Sequence, residues 1–463
     1  KPQAPARRGP AKKVVIIGAG LAGLSAGYEL TLAGHEVTIL EATMRPGGRA
    51  LTIREPFSDG LYADAGAARF YDIHHLTLKY VKLFDLPVVP FYPKELASVR
   101  YIGGKPIRLK AGERMTLSDY PSEQTVGLTP EEKTLGLDGM WKKYIGSKLN
   151  ELGDVSSEEW PPAELKKYDG IDFGEFLRQQ GASASAVSLL GGEGDPQERF
   201  SALWYLRFLA LEQGAKSIYK IEGGTDLLPR ALAKRLAEKI RYGTPVIRIE
   251  QQARSVQVTF WQGGALETLA GDYVICAVPF SLLKRIQVSP AFSAEKQRAI
   301  AELPYGSACR VFLQSRKRYW EAEGLNGFGE TPALGEIWQP TFDQPGSRGI
   351  LLSYVFASRA RQVTAMTEGS RLNSVTEEME QVLPGIRANL EGGLSKCWDL
   401  DPWARGAYVY LKPGQVFSLT PYLSRPEGRV HFAGEHASAW HRWMQGALAS
   451  GVRAAREVNE AAL

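Results

Sequence analysis

The sequence predicts an α/β fold in three parts: a parallel-sheet domain that opens and closes the chain, a β-rich second domain, and a helical insertion between segments of these. Three observations predict it. A β-branched apolar run near the N-terminus ends in glycines and leads into a helix and a second strand. From about Lys110 to Gly214 the pattern changes to amphipathic stretches rich in Glu, Lys and Leu, with few strand signals. Strand-like runs then return, and the chain ends on a strand followed by a helix.

Taken in order, Val14 to Ile17 is the first strand, Leu21 to Leu32 repeats apolar residues at helical spacing, and Val37 to Leu40 is the second strand, completing a βαβ unit. After the insertion come strands at Val246 to Ile249, Val256 to Trp261 and Tyr273 to Val278, then at Ala308 to Leu313 and Ile350 to Phe356. Val430 to Ala433 is the closing strand and about Trp443 to Glu460 the closing helix.

With 463 residues the chain has length for about three domains and can enclose a large ligand between them. Its 44% hydrophobic and 23% charged residues are ordinary for a globular enzyme. Lys+Arg 56 against Asp+Glu 51 gives +5, and much of that excess lies in Lys1, Arg7, Arg8, Lys12 and Lys13, so nucleic acid is a poor fit as partner. No stretch reaches the roughly 18 apolar residues of a membrane span, so no membrane span and a soluble protein are expected, either cytoplasmic or secreted after loss of an upstream segment. Residues 1–13, basic and Pro-containing, read as a flexible tail. Cys276, Cys309 and Cys397, odd in number and far apart, offer neither a disulfide framework nor a metal site. The six histidines, His35, His74, His75, His431, His436 and His441, show no metal-ligand spacing, so no metal is expected.

Gly18-Ala19-Gly20-Leu21-Ala22-Gly23 follows a strand and opens a helix, the context that gives a Gly-x-Gly-x-x-Gly match meaning. Gly18 permits the tight turn, Gly20 lets a pyrophosphate approach the backbone, and Gly23 lets helix and strand pack closely. The helix start, at Leu21 and Ala22, supplies N–H groups and positive potential. Glu41 ends the second strand, placed to accept hydrogen bonds from an adenosine ribose and to repel a 2′-phosphate; Ala42 follows it. This is a Rossmann-like dinucleotide site, and by itself it does not separate NAD from FAD.

With Glu41, the run Arg45-Pro46-Gly47-Gly48-Arg49 makes the pattern Glu-x-x-x-Arg-x-Gly-Gly-Arg directly after the second strand, and here the chain resembles the flavin amine-oxidase family, closest to the L-amino acid oxidases. Two further segments carry the resemblance: His431-Phe432-Ala433-Gly434-Glu435, and Trp443-Met444-Gln445-Gly446-Ala447 at the start of the last helix. Glu222-Gly223-Gly224-Thr225 and Val246 with Ile249 are similar to the segments that return to the cofactor domain and meet adenine. The resemblance implies a glutathione-reductase-type flavoprotein fold. FAD would be held by residues 14–60, 217–290 and 424–463, a mixed-sheet substrate domain would comprise 61–109 and 291–423, and the helical domain would be 110–216. It implies that Gly48 lets backbone lie against the flavin, that Arg45 and Arg49 reach its phosphates, and that the last helix points Trp443, Met444 and Ala447 toward the flavin ring. A homo-oligomer, a dimer, is also expected.

For the substrate, Asp64-Ala65-Gly66-Ala67-Ala68-Arg69 runs close to the flavin in this resemblance, and Arg69 stands where amino-acid oxidases grip the α-carboxylate. Tyr354 matches a tyrosine that shares the carboxylate. Trp443 matches the aromatic residue beside the flavin, and Tyr408 is expected as the opposite wall. Trp204, Tyr205 and Phe208 lie on a helix of the insertion, either as core or as a pocket wall. There are two departures from the family pattern. Ala407 replaces the cysteine of covalently flavinylated members, which implies non-covalent FAD, and Arg310 replaces a lysine associated with the reaction of reduced flavin with oxygen. The implied reaction transfers hydride from Cα of an L-amino acid to flavin N5 and gives a 2-oxo acid, ammonium and, with molecular oxygen, hydrogen peroxide. No general base stands out. The rivals are an amine or polyamine oxidase, a flavin dehydrogenase or amide-forming monooxygenase, and a non-catalytic flavin-bound scaffold.

Overall fold

The computed structural model describes residues 6–462. Its first sheet has five strands in the order Ile240–Tyr242, Glu36–Glu41, Lys13–Ile17, Tyr273–Cys276 and Val430–Phe432, each parallel to its neighbours. Parallel strands are covered on both faces, which is why Val14 to Ile17 reads as an unbroken apolar run and is buried throughout. The helix Leu21–Leu32 lies against the closing helix Met444–Glu460, with the Ser25 hydroxyl donating to the Leu448 carbonyl at 3.3 Å. The two ends of the chain thus share one sheet. The turns that leave its strands, at Gly18, Glu41, Ala277 and Gly434, all open onto one cavity.

The second large sheet has seven strands in the order Leu390–Cys397, Ala308–Ser315, Gly349–Phe356, Gly335–Trp338, Leu325–Thr331, Ala97–Ile102 and Lys105–Leu109. Its pairs are antiparallel except where Leu325–Thr331 meets Ala97–Ile102. Register matters here: Arg310 is directly opposite Tyr354. Residues opposed across an antiparallel pair project to the same face, so both reach the cavity. A smaller four-stranded sheet carries Val246–Gln251 and Val256–Gln262. Between residues 110 and 216 the elements are short helices, ending with Ala202–Glu212, whose first turn is capped by the Ser201 hydroxyl accepting from the Trp204 N–H.

Two expectations are corrected. Cys309 and Cys397 form a disulfide across adjacent strands, where the sheet register sets them opposite each other although 88 residues separate them in sequence. Cys276 remains a buried thiol. The expected tail over residues 1–13 also fails at its end. Lys13 begins the first strand, and Lys12 is buried, its ammonium donating to the carbonyls of Val458 and Asn459 at 2.6 and 2.9 Å. Carbonyls left unpaired in the last turn of a helix, at the negative end of its dipole, attract a cation. Residues 1–5 of that segment lie outside the described residues.

Candidate active site

A cavity of about 570 Å3 extends from the parallel sheet to the seven-stranded sheet and the helix Ala202–Glu212. At its dinucleotide end the lining includes Gly18, Gly20, Leu21 and Ala22, then Glu41, Ala42, Arg45, Gly48 and Arg49. Gly66, Ala67, Ala68 and Val246 continue it, and Gly434, Glu435, Met444 and Ala447 close it. Gly23, expected at the cofactor, is outside the lining for a packing reason: a Cβ there would lie 1.9 Å from the Gly18 carbonyl oxygen. Gly18 has φ +103°, a conformation L side chains rarely adopt. A Cβ at Gly20 would meet no protein atom within 4 Å, and the helix that follows has no side-chain cap, so its first N–H groups face the cavity. Such a cradle fits a pyrophosphate.

The charged groups at this end are held in place. Glu41 accepts from the Ala19 N–H at 2.7 Å and from the Thr43 N–H and hydroxyl at 2.9 and 2.8 Å. Arg45 donates to the carbonyls of Pro46 and Gly48. Arg49, expected at the phosphates, instead donates to Glu435 at 2.9 Å and to the Ala407 carbonyl at 2.7 Å. Burial would raise the Glu435 carboxyl, but Arg49 holds it below its ordinary range. Ile249, paired with Val246 in the sequence reading, is buried in core away from the cavity.

At the other end the cavity is lined by Arg69, Tyr354, Trp443, Arg310 and Tyr408, all expected there. Arg69 is also lined up with a carboxylate of the protein itself. Its Nη1 and Nη2 donate to the two oxygens of Glu336 at 3.0 and 3.3 Å, and Nη1 donates to the Tyr92 hydroxyl at 3.1 Å. Trp338 and Phe91 pack at 4.9 and 5.3 Å from its guanidinium. Burial works against the charge, yet Glu336 raises the Arg69 pKa above its ordinary value. The Nε edge of Arg69 makes no hydrogen bond to the described residues, so it presents a second face for a planar anion.

Arg310 donates to the Asp64 carbonyl at 2.7 Å and stacks between Trp338 and Tyr354, at 4.6 and 4.1 Å from the ring centres. Tyr408 has its ring 4.1 Å from the guanidinium of Arg442, so the expected wall is partly covered by a residue the sequence reading did not single out. The Trp443 indole donates to Glu212 at 3.1 Å. Burial pushes the Glu212 carboxyl up to about 7. Tyr205 and Phe208 line the cavity as a pocket wall, while Trp204 is buried and donates to His441 at 2.8 Å.

Glu212, Glu336 and Arg442 were missed. Arg442 had a signal, a charge next to the expected aromatic residue Trp443. Glu336 had only the alternation of a short strand, and Glu212 only the end of a helix. Burial pushes His74 and His436 down to about 3 and His441 to about 4, so these rings are neutral in ordinary buffers. No group of His, Cys, Asp or Glu suited to a metal occurs among the described residues.

The fold and this cavity define a dinucleotide-binding protein. The family model described as flavin containing amine oxidoreductase matches residues 21–459. YobN of Bacillus subtilis (strain 168), provisionally named an L-amino-acid oxidase, is 35% identical over 97% of this chain and 95% of its own length. The L-amino-acid oxidase BmooLAAO-I of Bothrops moojeni is 30% identical over 97% of this chain and 90% of its own. Among solved structures, putrescine oxidase bound to putrescine superposes with a TM-score of 0.81 at 20% identity, covering 97% of this chain and 99% of that one. Cyclohexylamine oxidase from Brevibacterium oxydans IH-35A gives 0.79 at 22% identity, again over 97% and 99%. The chain belongs to the flavin containing amine oxidoreductase family, and its cofactor is FAD. No helix among the described residues is long and apolar enough to cross a membrane.

Proposed function

We propose that this enzyme is an L-amino acid oxidase that holds FAD non-covalently and yields a 2-oxo acid, ammonium and hydrogen peroxide. The single observation that carries it is Arg69: a guanidinium in the catalytic end of the cavity, set between aromatic rings, whose Nε makes no hydrogen bond to the described residues. The names of relatives at 30 and 35% identity support the same reading. When bound, FAD supplies the hydride acceptor. Arg69 and Tyr354 hold the substrate carboxylate, and Trp443 and Tyr408 orient the amine and exclude water. Glu41 and the glycine-rich turn hold the cofactor, the Arg49–Glu435 pair lines the same cavity, and Ala407 beside it has no thiol for a covalent bond. Segments 14–60, 217–290 and 424–463 would form the FAD domain, 61–109 and 291–423 the substrate domain, and 110–216 the helical domain. A dimer is part of the same proposal.

Glu336 favours a second reading. It already compensates the Arg69 charge, as a site for amines lacking a carboxylate would need. Product analysis separates the two. An amino-acid oxidase gives one peroxide and one ammonium for each 2-oxo acid. Turnover of amines alone, peroxide-free turnover, or an amide product would each overturn the proposal.

A further inference from the structure

Two guanidinium groups beside Arg310 face the catalytic end of the cavity, and they are treated differently by the protein. Arg69 has Glu336, whereas Arg442 forms no ion pair among the described residues. The charge of Arg442 is surrounded by tyrosines, Tyr408, Tyr354 and Tyr205, and it lies 4.1 Å from the ring centre of Tyr408 and 5.7 Å from that of Phe208. Aromatic faces attract a cation without neutralising it. Glu212 feels the charge of Arg442 but makes no salt bridge with it.

The backbone at Arg442 adds an independent observation. Its φ is +72°, a left-handed conformation that costs a non-glycine residue free energy and is concentrated at functional sites. The conformation is held by its N–H, which donates to Glu435 at 2.9 Å. A side chain is thus aimed from a fixed backbone into the cavity, carrying a charge that no salt bridge among the described residues neutralises. Phe208, on the helix Ala202–Glu212, is 5.7 Å from the guanidinium and places it beside the wall of the cavity formed by the helical insertion.

From this we infer that Arg442 selects L-amino acids whose side chain ends in a carboxylate; the inference rests on the L-amino acid oxidase reading. With the α-carboxylate on Arg69, an apolar substrate side chain leaves Arg442 desolvated and unpaired, and a cationic one is repelled. A side-chain carboxylate pairs with it through charged hydrogen bonds.

The test is kcat/KM of the holoenzyme for L-glutamate and L-glutamine, with L-leucine as a third substrate, in the wild type and in Arg442→Gln and Arg442→Lys. The wild type prefers L-glutamate over L-glutamine by about tenfold or more. Arg442→Gln lowers that ratio by about 30-fold, and Arg442→Lys restores part of it. Wild-type use of L-glutamine or L-leucine as good as that of L-glutamate overturns the inference and leaves the amino acid oxidase reading standing. An unchanged ratio in Arg442→Gln also overturns it, as does loss of FAD from that variant, which would assign Arg442 to the cofactor. A wild type that oxidises only amines overturns both.

Discussion

The two ends of the cavity manage charge differently. At the dinucleotide end the field comes from backbone, from a glycine-rich turn and an uncapped helix start, and the charged side chains are tied to backbone or to each other. At the substrate end charge is carried by side chains set among aromatic rings: Arg69 paired, Arg310 held by a carbonyl, Arg442 without a carboxylate, and Glu212 displaced toward neutrality. Backbone charge is fixed by the fold, while side-chain charge changes with one substitution. Variants at the first end should therefore change cofactor affinity, and variants at the second end substrate choice.

The largest effect is expected at Arg69. Arg69→Met strands the substrate carboxylate in a water-poor pocket at a cost of about 2–5 kcal/mol, which lowers kcat/KM for L-amino acids about 30-fold to several thousand-fold. The decarboxylated amines, which have no such group, change far less. Equal losses on both substrate types would break the comparison at its substrate end. At the cofactor end, Glu41→Ala should weaken FAD binding by about 1.5–3 kcal/mol, read by titration of the apoprotein. Denaturation should release intact FAD, and flavin remaining on the chain would contradict non-covalent binding.

Tyr354→Phe removes one neutral hydrogen bond and should cost amino acids about 1 kcal/mol in kcat/KM, in the direction of Arg69→Met. The smallest effect concerns pH. Glu212 is faced by Trp443, Arg442, Arg69, Tyr71 and by Tyr205 of its own helix, and burial sets its carboxyl near 7. Below that value it is neutral, and above it the anion repels a substrate carboxylate near Arg442. The L-glutamate to L-glutamine ratio should fall as pH rises through about 7, and Glu212→Gln should flatten the profile. A wild-type ratio constant from pH 6 to 8 would remove Glu212 from the account.

The contrast also explains what could be read from the sequence. The dinucleotide end is built from short contiguous segments, Gly18 to Gly23, Glu41 to Arg49 and Gly434 to Ala447, whose spacing is itself the geometry. The substrate end draws single residues from positions 69, 212, 310, 336, 354, 408 and 442, and only the fold brings them together. Arg69 and Tyr354 were legible through resemblance, yet that Arg69 grips Glu336 depends on strand register, which places Glu336 beside Tyr354. The same dependence hid the Cys309–Cys397 bond. Lys12 was read as tail because its burial depends on the far end of the chain folding back over it.

The central claim is that the substrate end is built around a carboxylate. It is tested most directly by anaerobic stopped-flow reduction of the holoenzyme with an L-amino acid and with its decarboxylated amine. The account predicts that the amino acid reduces the bound flavin with a second-order rate constant at least about 30-fold above that of the amine. Reduction by the amine at an equal or greater rate would contradict it.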